Sequence, residues 1–383
     1  MNKNISLITL GCAKNLVDSE YLITGLKHVG YQINSNIDES SIVIINTCGF
    51  LDIAREESIN KIIEIENKKK KGDLEKVIVM GCLSERYGDQ LQKELPLIDK
   101  FFGSEDHEAV IKYISGKPFS LDDPDIIRAS LTPSHYSYLK IAEGCDNGCS
   151  FCSIPLMRGL QKSQPLRWNV EEAKRLVSRG VKELLVIAQD STSYGWDLEP
   201  KTSLHELMIE LDKIDGLQWL RLHYAHPAHL HREMIHQFSC LEKLIPYIDM
   251  PIQHGSDKML QLMRRGLKSD GIKKRIESLR QANEQIALRT SIIVGHPDET
   301  DKDFQDLIDL ITDVQFDRLG VFQYSEEEGT HGAEAFTDDV FQNQKPNDLL
   351  SNSCHRLPLS LCFAPTLNQY LSHRLKWCMG KLL

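Results

Sequence analysis

Cys145, Cys149 and Cys152 stand in the segment EGCDNGCSFCSIP, with the spacing C-x-x-x-C-x-x-C. Three thiolates on one tight loop can ligate three irons of a four-iron, four-sulfur cluster. The fourth iron then has no protein ligand from that loop, and an open metal position is where a small molecule coordinates in catalysis. Gly144 and Gly148 allow the backbone to fold closely around such a group. Its N–H groups can then donate to the sulfurs. Two other uses of the trio are a structural zinc site and plain buried thiols. Structural zinc prefers four ligands, usually from two separated pairs, and no local fourth ligand is in sight. Free cysteine packs as a small apolar residue.

Three further cysteines share a position rather than a spacing. Cys12, Cys48 and Cys82 close the apolar, β-branched runs ISLITLGC, SIVIINTC and KVIVMGC. Continuous apolar runs of this length suit parallel strands buried on both faces. The C-terminal ends of parallel strands share one edge, where ligands bind. Thiols far apart in sequence can therefore converge there as a second three-cysteine cluster site. The glycines in LGC and MGC allow close backbone approach. Three buried core cysteines are the alternative. A disulfide framework is not expected from the ten cysteines of the chain in a reducing compartment.

The elements that would position these groups alternate. Helical stretches follow the first two runs, from about Asn15 to His28 and from about Ile53 to Lys70. This is a βαβ pattern and predicts a small parallel α/β sheet domain over residues 1–115. Residues 116–134 hold Pro118, Pro124 and Pro133 and read as a linker. From 135 to about 338 six strand candidates alternate with helices: YLKIAEGC, ELLVIAQD, WLRLHYAHP, IPYIDMPIQ, LRTSIIVGHP and RLGVFQYS. Six βα units predict a partial (β/α)6 barrel with its chemistry at the C-terminal strand ends. A doubly wound sheet is the alternative. The tail, residues 339–383, changes character: from Val340 onward it has one acidic residue, Asp348, against several basic ones, and it holds Cys354, Cys362 and Cys378.

The chain has 383 residues, 41% hydrophobic and 26% charged, which is globular composition. No apolar run is long enough to span a membrane. The N-terminus lacks the layout of a secretion signal, so the cytoplasm is the expected compartment. A net charge of −10 argues against nonspecific coating of nucleic acid. It suits a basic protein partner through opposite fields.

The C-x-x-x-C-x-x-C loop at the end of the first barrel strand resembles the radical S-adenosylmethionine superfamily. Preceded by Cys12, Cys48 and Cys82, it resembles the methylthiotransferases within it. The segments GCAKNLVDSE, INTCGFLDIAREESI, GCLSERY, IAQDSTSYG, YIDMPIQHGSDKMLQLMRRG and FDRLGVFQYSEEEGT are similar to the RimO-like branch, which acts on a ribosomal protein. The tRNA-modifying branch typically has Gln-Asn where this chain has Gln189-Asp190. The resemblance implies a transferase that places a methylthio group on the β-carbon of an aspartate in the twelfth small-subunit ribosomal protein. It also implies two 4Fe–4S clusters as metal sites, one on each trio, and S-adenosylmethionine as radical source and methyl donor. By the same resemblance, Cys145, Cys149 and Cys152 are the expected catalytic residues, where the radical would be generated. An electron donor such as a flavodoxin or ferredoxin is implied as a partner. Methylthiolation of tRNA adenosine and a zinc-stabilised, non-catalytic interaction protein are the other function classes. The family ends in a β-rich TRAM domain; the resemblance here covers about residues 5 to 338, and the segment after it reads as an altered tail without a recognisable TRAM domain.

Weaker signals surround these. Ser291 to Thr300 reads SIIVGHPDET where the family has Gly-Phe-Pro-Gly-Glu-Thr, so His296 and Asp298 are departures. Gly295 and Pro297 of that loop, with Gln253 and Asp190, are the expected cofactor-binding residues. His223, His226 and His254 lie near strand ends and read first as hydrogen-bonded structural residues. Lys68 to Lys71 reads as a solvated helix end, and Cys240 as a packed thiol.

Overall fold

The computed structural model describes residues 4–120 and 127–335; the expected altered tail lies outside the described residues. Strands β1 (Asn4–Thr9), β2 (Gln32–Ile33), β3 (Ile42–Thr47), β4 (Lys76–Gly81) and β5 (Lys100–Phe101) form a parallel sheet ordered β2-β1-β3-β4-β5. Every residue of β3 is buried, as a central strand covered on both faces requires. Val43, Ile45, Val77 and Val79 point to α2 (Asp52–Lys70) and α3 (Cys82–Glu94), packing with Ile62, Ile65, Leu83 and Leu91. Ile44, Ile78 and Met80 point the other way. They pack with residues of α1 (Ala13–His28) and α4 (His107–Ser115), among them Leu22, Leu26, Val110 and Ile111. The period of two divides each strand between two cores.

Helix α3 follows the third apolar run directly and was not expected there. Its sequence, CLSERYGDQLQKE, offers few apolar anchors, chiefly Leu83 and Leu91 with Tyr87 beside them. Burial of that pair against the sheet holds it.

The second unit is a parallel sheet ordered β13-β12-β11-β10-β9-β6. Its strands are β6 (Tyr136–Lys140), β9 (Glu183–Ile187), β10 (Trp219–Leu222), β11 (Leu244–Asp249), β12 (Ala287–Val294) and β13 (Arg318–Gln323), with β7 (Ala142–Glu143) and β8 (Lys162–Ser163) forming a separate antiparallel pair. Because β6 and β13 are edges, the sheet is the expected partial barrel. Between its strands run α6 (Leu166–Ser178), α7 (Leu204–Asp212), α8 (Arg232–Cys240), α9 (Asp257–Leu262), α10 (Ser269–Ala282) and α11 (Asp301–Val314). Strand residues Leu139, Val186, Leu222, Ile248 and Ile292 pack with helix residues Leu176, Leu207, Leu279 and Leu307 in one core. The β7–β8 pair closes the base of the central cysteine loop, which contains α5 (Ile154–Arg158). A last short helix, α12 (His331–Ala335), follows β13. No described helix is long and apolar enough to cross a membrane.

The two sheets meet C-terminal edge to C-terminal edge. Asp18, near the start of α1, pairs with Arg158 of α5 at 2.7 Å and with Lys140 at the end of β6. Glu327, beyond β13, binds Arg55 of α2 at 2.6 Å and Arg86 of α3 at 2.8 Å. Arg128, in the stretch read as a linker, is 2% exposed and pairs with Glu20 at 3.1 Å and Glu172 at 2.9 Å. Breaking one buried, hydrogen-bonded ion pair costs about 3–5 kcal/mol, so these contacts fix the two crevices face to face.

Candidate active site

The N-terminal trio sits where strands turn into helices. Cys12 is the N-cap of α1, and Cys82 is the first residue of α3. Helix starts carry partial positive charge and favour thiolates. Cys48 follows β3, where its N–H donates to Ser58 Oγ at 3.1 Å and its carbonyl accepts from the same hydroxyl at 3.0 Å. Asn15 ties the strand ends together: its Nδ2 donates to Leu10 O at 2.8 Å and Thr47 O at 2.9 Å. Its Oδ1 lies 3.9 Å from Cys12 Sγ and 3.8 Å from Cys82 Sγ. Gly11 has φ +95°, and a Cβ there would lie 2.7 Å from Cys48 Cβ. Glycine is therefore what lets the Cys12 and Cys48 segments touch.

The central trio is held locally. The Cys145 N–H donates to Gly159 O and the Cys152 N–H to Cys149 O, both at 3.1 Å. Gly144, at φ +72°, leaves a Cβ no room, because one would lie 2.1 Å from Leu160 O. Arg265 donates to Cys149 Sγ at 3.2 Å and to Pro251 O at 2.7 Å. Burial pushes Cys145 up to about 11 and Cys152 up to about 12. Burial also pushes Cys82 up to about 11, opposed by Arg158, whose Nε donates to its Sγ at 3.1 Å. Coordination of a metal deprotonates such thiols and releases their protons.

The donor set fits iron–sulfur clusters better than single ions. In neither trio do all three sulfurs lie within 4.8 Å of one another. A zinc ion with bonds of about 2.3 Å would hold its sulfurs roughly 4 Å apart. The wider trios leave room for a cube of iron and sulfide, and each has a guanidinium N–H on one sulfur, the kind of donor that stabilises and tunes such a group.

The other expected site residues divide. Asp190 is 2% exposed and accepts from Asn147 Nδ2 of the cysteine loop at 2.9 Å, from Thr192 N–H at 2.9 Å, and meets His229 Nδ1 at 2.7 Å. Burial opposes its charge, but the hydrogen bonds from His229, Asn147 and Thr192 hold it down to about 2. Its contacts brace the cysteine loop. Burial lowers His226 to about 3, helped by Arg265, and its neutral ring stacks on His229 at 4.5 Å. His254 is fully buried, accepts the Ser256 N–H at 3.0 Å and lies 3.4 Å from Glu299 Oε1. The other Glu299 oxygen accepts from the Gly295 N–H at 2.5 Å and the His296 N–H at 3.2 Å, while His296 Nδ1 meets Pro297 O at 2.6 Å. Glu299 thus pins the Gly295–Pro297 loop. Asp298 sits at φ +69°, a backbone state that explains a glycine there in the family and that aspartate tolerates better than most residues. Gln253 has φ +73° at the barrel mouth. His223 Nδ1 lies 3.7 Å from Asp249. Lys70 ends α2, and Lys68 pairs with Asp38 at 2.6 Å on the surface. Cys240 is exposed at the end of α8, with His236 Nε2 at 3.2 Å; it is not the packed thiol expected.

The residues that sequence reasoning missed lie between the trios. Arg158 binds Asp18, Asn15, Glu143 and Cys82. Lys14 is 8% exposed, with Nζ 3.3 Å from the Tyr224 ring centroid. Burial lowers it to about 8, and a desolvated cation over an aromatic face is stabilised by about 2 kcal/mol. Their only sequence signal was a basic residue close to a motif: Lys14 after Cys12, Arg158 after Cys152.

Residues 4–103 match uncharacterized protein family UPF0004, and residues 139–311 match the radical SAM superfamily. The ribosomal protein uS12 methylthiotransferase RimO of Bacteroides thetaiotaomicron is 45% identical over 345 residues, covering 90% of this chain and 79% of that protein. That of Symbiobacterium thermophilum is 42% identical over 337 residues, covering 85% and 70%. Among solved structures, the radical S-adenosylmethionine methyltransferase TsrM from Kitasatospora setae, with cobalamin and a [4Fe-4S] cluster, superposes with a TM-score of 0.64 at 12% identity, over 87% of this chain and 77% of that one. At that identity the likeness is one of fold.

Proposed function

Because the chain belongs to the family of RimO methylthiotransferases, we infer that it transfers a methylthio group to the β-carbon of an aspartate in ribosomal protein uS12. It is a radical S-adenosylmethionine transferase that uses 4Fe–4S clusters and S-adenosylmethionine. The observation that carries the reading is the pairing of two cysteine trios on facing sheet edges, with a buried, charged seam between them.

Cys145, Cys149 and Cys152 would hold the cluster that reduces S-adenosylmethionine to a hydrogen-abstracting radical, and Cys12, Cys48 and Cys82 the cluster that delivers sulfur. The chain's own residues prepare both places. Arg265 and Arg158 donate to one sulfur of each trio. Asp190 holds the loop of the first trio through Asn147, and Asn15 holds the strand ends of the second. Glu299 fixes the Gly295–Pro297 loop, which we assign to the adenosine of S-adenosylmethionine, with Gln253 on the same rim. Burial of Asp18, Glu143 and Arg158, with Lys140 paired to both carboxylates, keeps water from the seam, where a carbon radical must be protected.

Residues 1–115 are taken as the sulfur-delivery unit, 116–134 as the linker, 135–338 as the radical unit and 339–383 as the tail. A flavodoxin- or ferredoxin-like carrier supplies the electron, and the cytoplasm, where uS12 is made, is the compartment. The test is mass spectrometry of uS12 and of bulk tRNA from cells with and without the gene. The expected result is one methylthio group on a uS12 aspartate that disappears with the gene. Loss of a methylthio mark from tRNA alone would overturn the protein substrate.

A further inference from the structure

We propose that Lys14 is the residue that recognises the acceptor: its ammonium binds the carboxylate of the aspartate whose β-carbon is modified. This rests on the uS12 reading above and adds a specificity-determining contact to it.

Lys14 is a cation at the seam with no carboxylate partner of its own among the described residues. The charged groups that face it are Cys12, Glu143, Arg158 and Asp249. Both carboxylates among them are already engaged. Glu143 pairs with Lys140 at 2.7 Å and Arg158 at 3.0 Å, and Asp249 with Arg289 at 2.6 Å. Asp18 balances the second positive charge of the Lys140–Arg158 pair. Among the described residues no carboxylate lies within ion-pairing distance of Lys14 Nζ; its one close contact is the face of Tyr224. Cys12 is the anion that faces it most strongly, yet among the described residues no carboxylate hydrogen-bonds its Nζ, so an incoming carboxylate adds a charge-assisted bond that the ammonium does not otherwise make.

Its place supports the same conclusion. Lys14 comes from the N-terminal unit, two residues after Cys12, yet its ammonium lies over Tyr224, just beyond β10 of the barrel. Tyr224 is held at φ +57°, a state that in a bulky residue requires support from its surroundings and clusters at functional sites. The cation therefore bridges the crevices of the two trios. A carboxylate hydrogen-bonded to it would place the adjoining β-carbon within about 4 Å of Nζ. Anchoring the one would thus position the other between the radical side and the sulfur side. A neutral acceptor offers no such partner.

The test uses the full chain, reconstituted with iron and sulfide, and fluorescent synthetic peptides of the uS12 target loop with Asp or Asn at the acceptor position. Wild type is expected to bind the Asp peptide roughly tenfold or more tighter than the Asn peptide. Lys14→Met, and Lys14→Gln should the first variant fold poorly, are expected to bind both alike at the weaker level while keeping wild-type iron content. A wild type that methylthiolates the peptide but binds Asp and Asn equally overturns the Lys14 assignment alone. So does a neutral variant that keeps the Asp preference. Loss of iron in a variant with that preference intact would assign Lys14 to the N-terminal cluster instead. If wild type neither binds nor modifies any uS12 peptide, the substrate reading falls, and the Lys14 assignment with it.

Discussion

The two cysteine trios bring three thiols together by opposite routes. The central one lies within eight residues of chain and is shaped by local turns, with Gly144 packed against Leu160 and Cys152 hydrogen-bonded to Cys149. The N-terminal one joins Cys12, Cys48 and Cys82 across a whole sheet and depends on Asn15 and on Arg158 from the other unit. A site built on one loop should survive loosening of the domain interface. A site assembled from three strand ends should not.

The largest expected effect separates their chemistry. Replacing Cys149 with Ala should abolish formation of 5′-deoxyadenosine, whereas Cys48→Ala should retain it and lose methylthio transfer. Equal loss of both activities in both variants would erase the division of labour.

Next is the shared arginine. Arg158→Met removes one partner from a buried network, so a stability loss of about 3–5 kcal/mol is expected. The N-terminal cluster should be lost before the central one during chelation. Denaturant unfolding and iron release followed by absorbance would check both; simultaneous release would deny the asymmetry.

Gly11→Ala sharpens the contrast at lower cost. Its Cβ would press on Cys48, and the strained backbone adds to a penalty of about 1–3 kcal/mol. Impaired iron uptake by the N-terminal trio, with 5′-deoxyadenosine formation maintained, is the expected outcome. Asp298→Gly should be the mildest, relieving a left-handed backbone and raising stability by at most about 1 kcal/mol, as thermal unfolding would read.

The same contrast explains what the sequence made legible. The central motif is a local spacing, and the three strand-end cysteines close continuous apolar runs, so both trios stand out in the sequence. Six alternating βα units gave the open barrel. Hidden were features that depend on how the two units face each other. Arg158 and Lys14 lie near cysteines in sequence, but nothing local says that one reaches Cys82 and the other Tyr224 across the seam. Helix α3 was missed because its apolar residues are few and widely spaced: Leu83, Tyr87 and Leu91 are what it lays on the sheet. Asp190 could be singled out at a strand end, but its bond to Asn147 of the cysteine loop depends on the fold.

The central claim is that each trio holds its own cluster. Iron content, with electron paramagnetic resonance of the reduced protein, measured after anaerobic reconstitution of two triple variants tests it most directly. With Cys145, Cys149 and Cys152 all replaced by Ala, or with Cys12, Cys48 and Cys82 so replaced, each variant should retain about half of the wild-type iron and give a different spectrum. Full wild-type iron in the Cys12/Cys48/Cys82 variant would contradict the account.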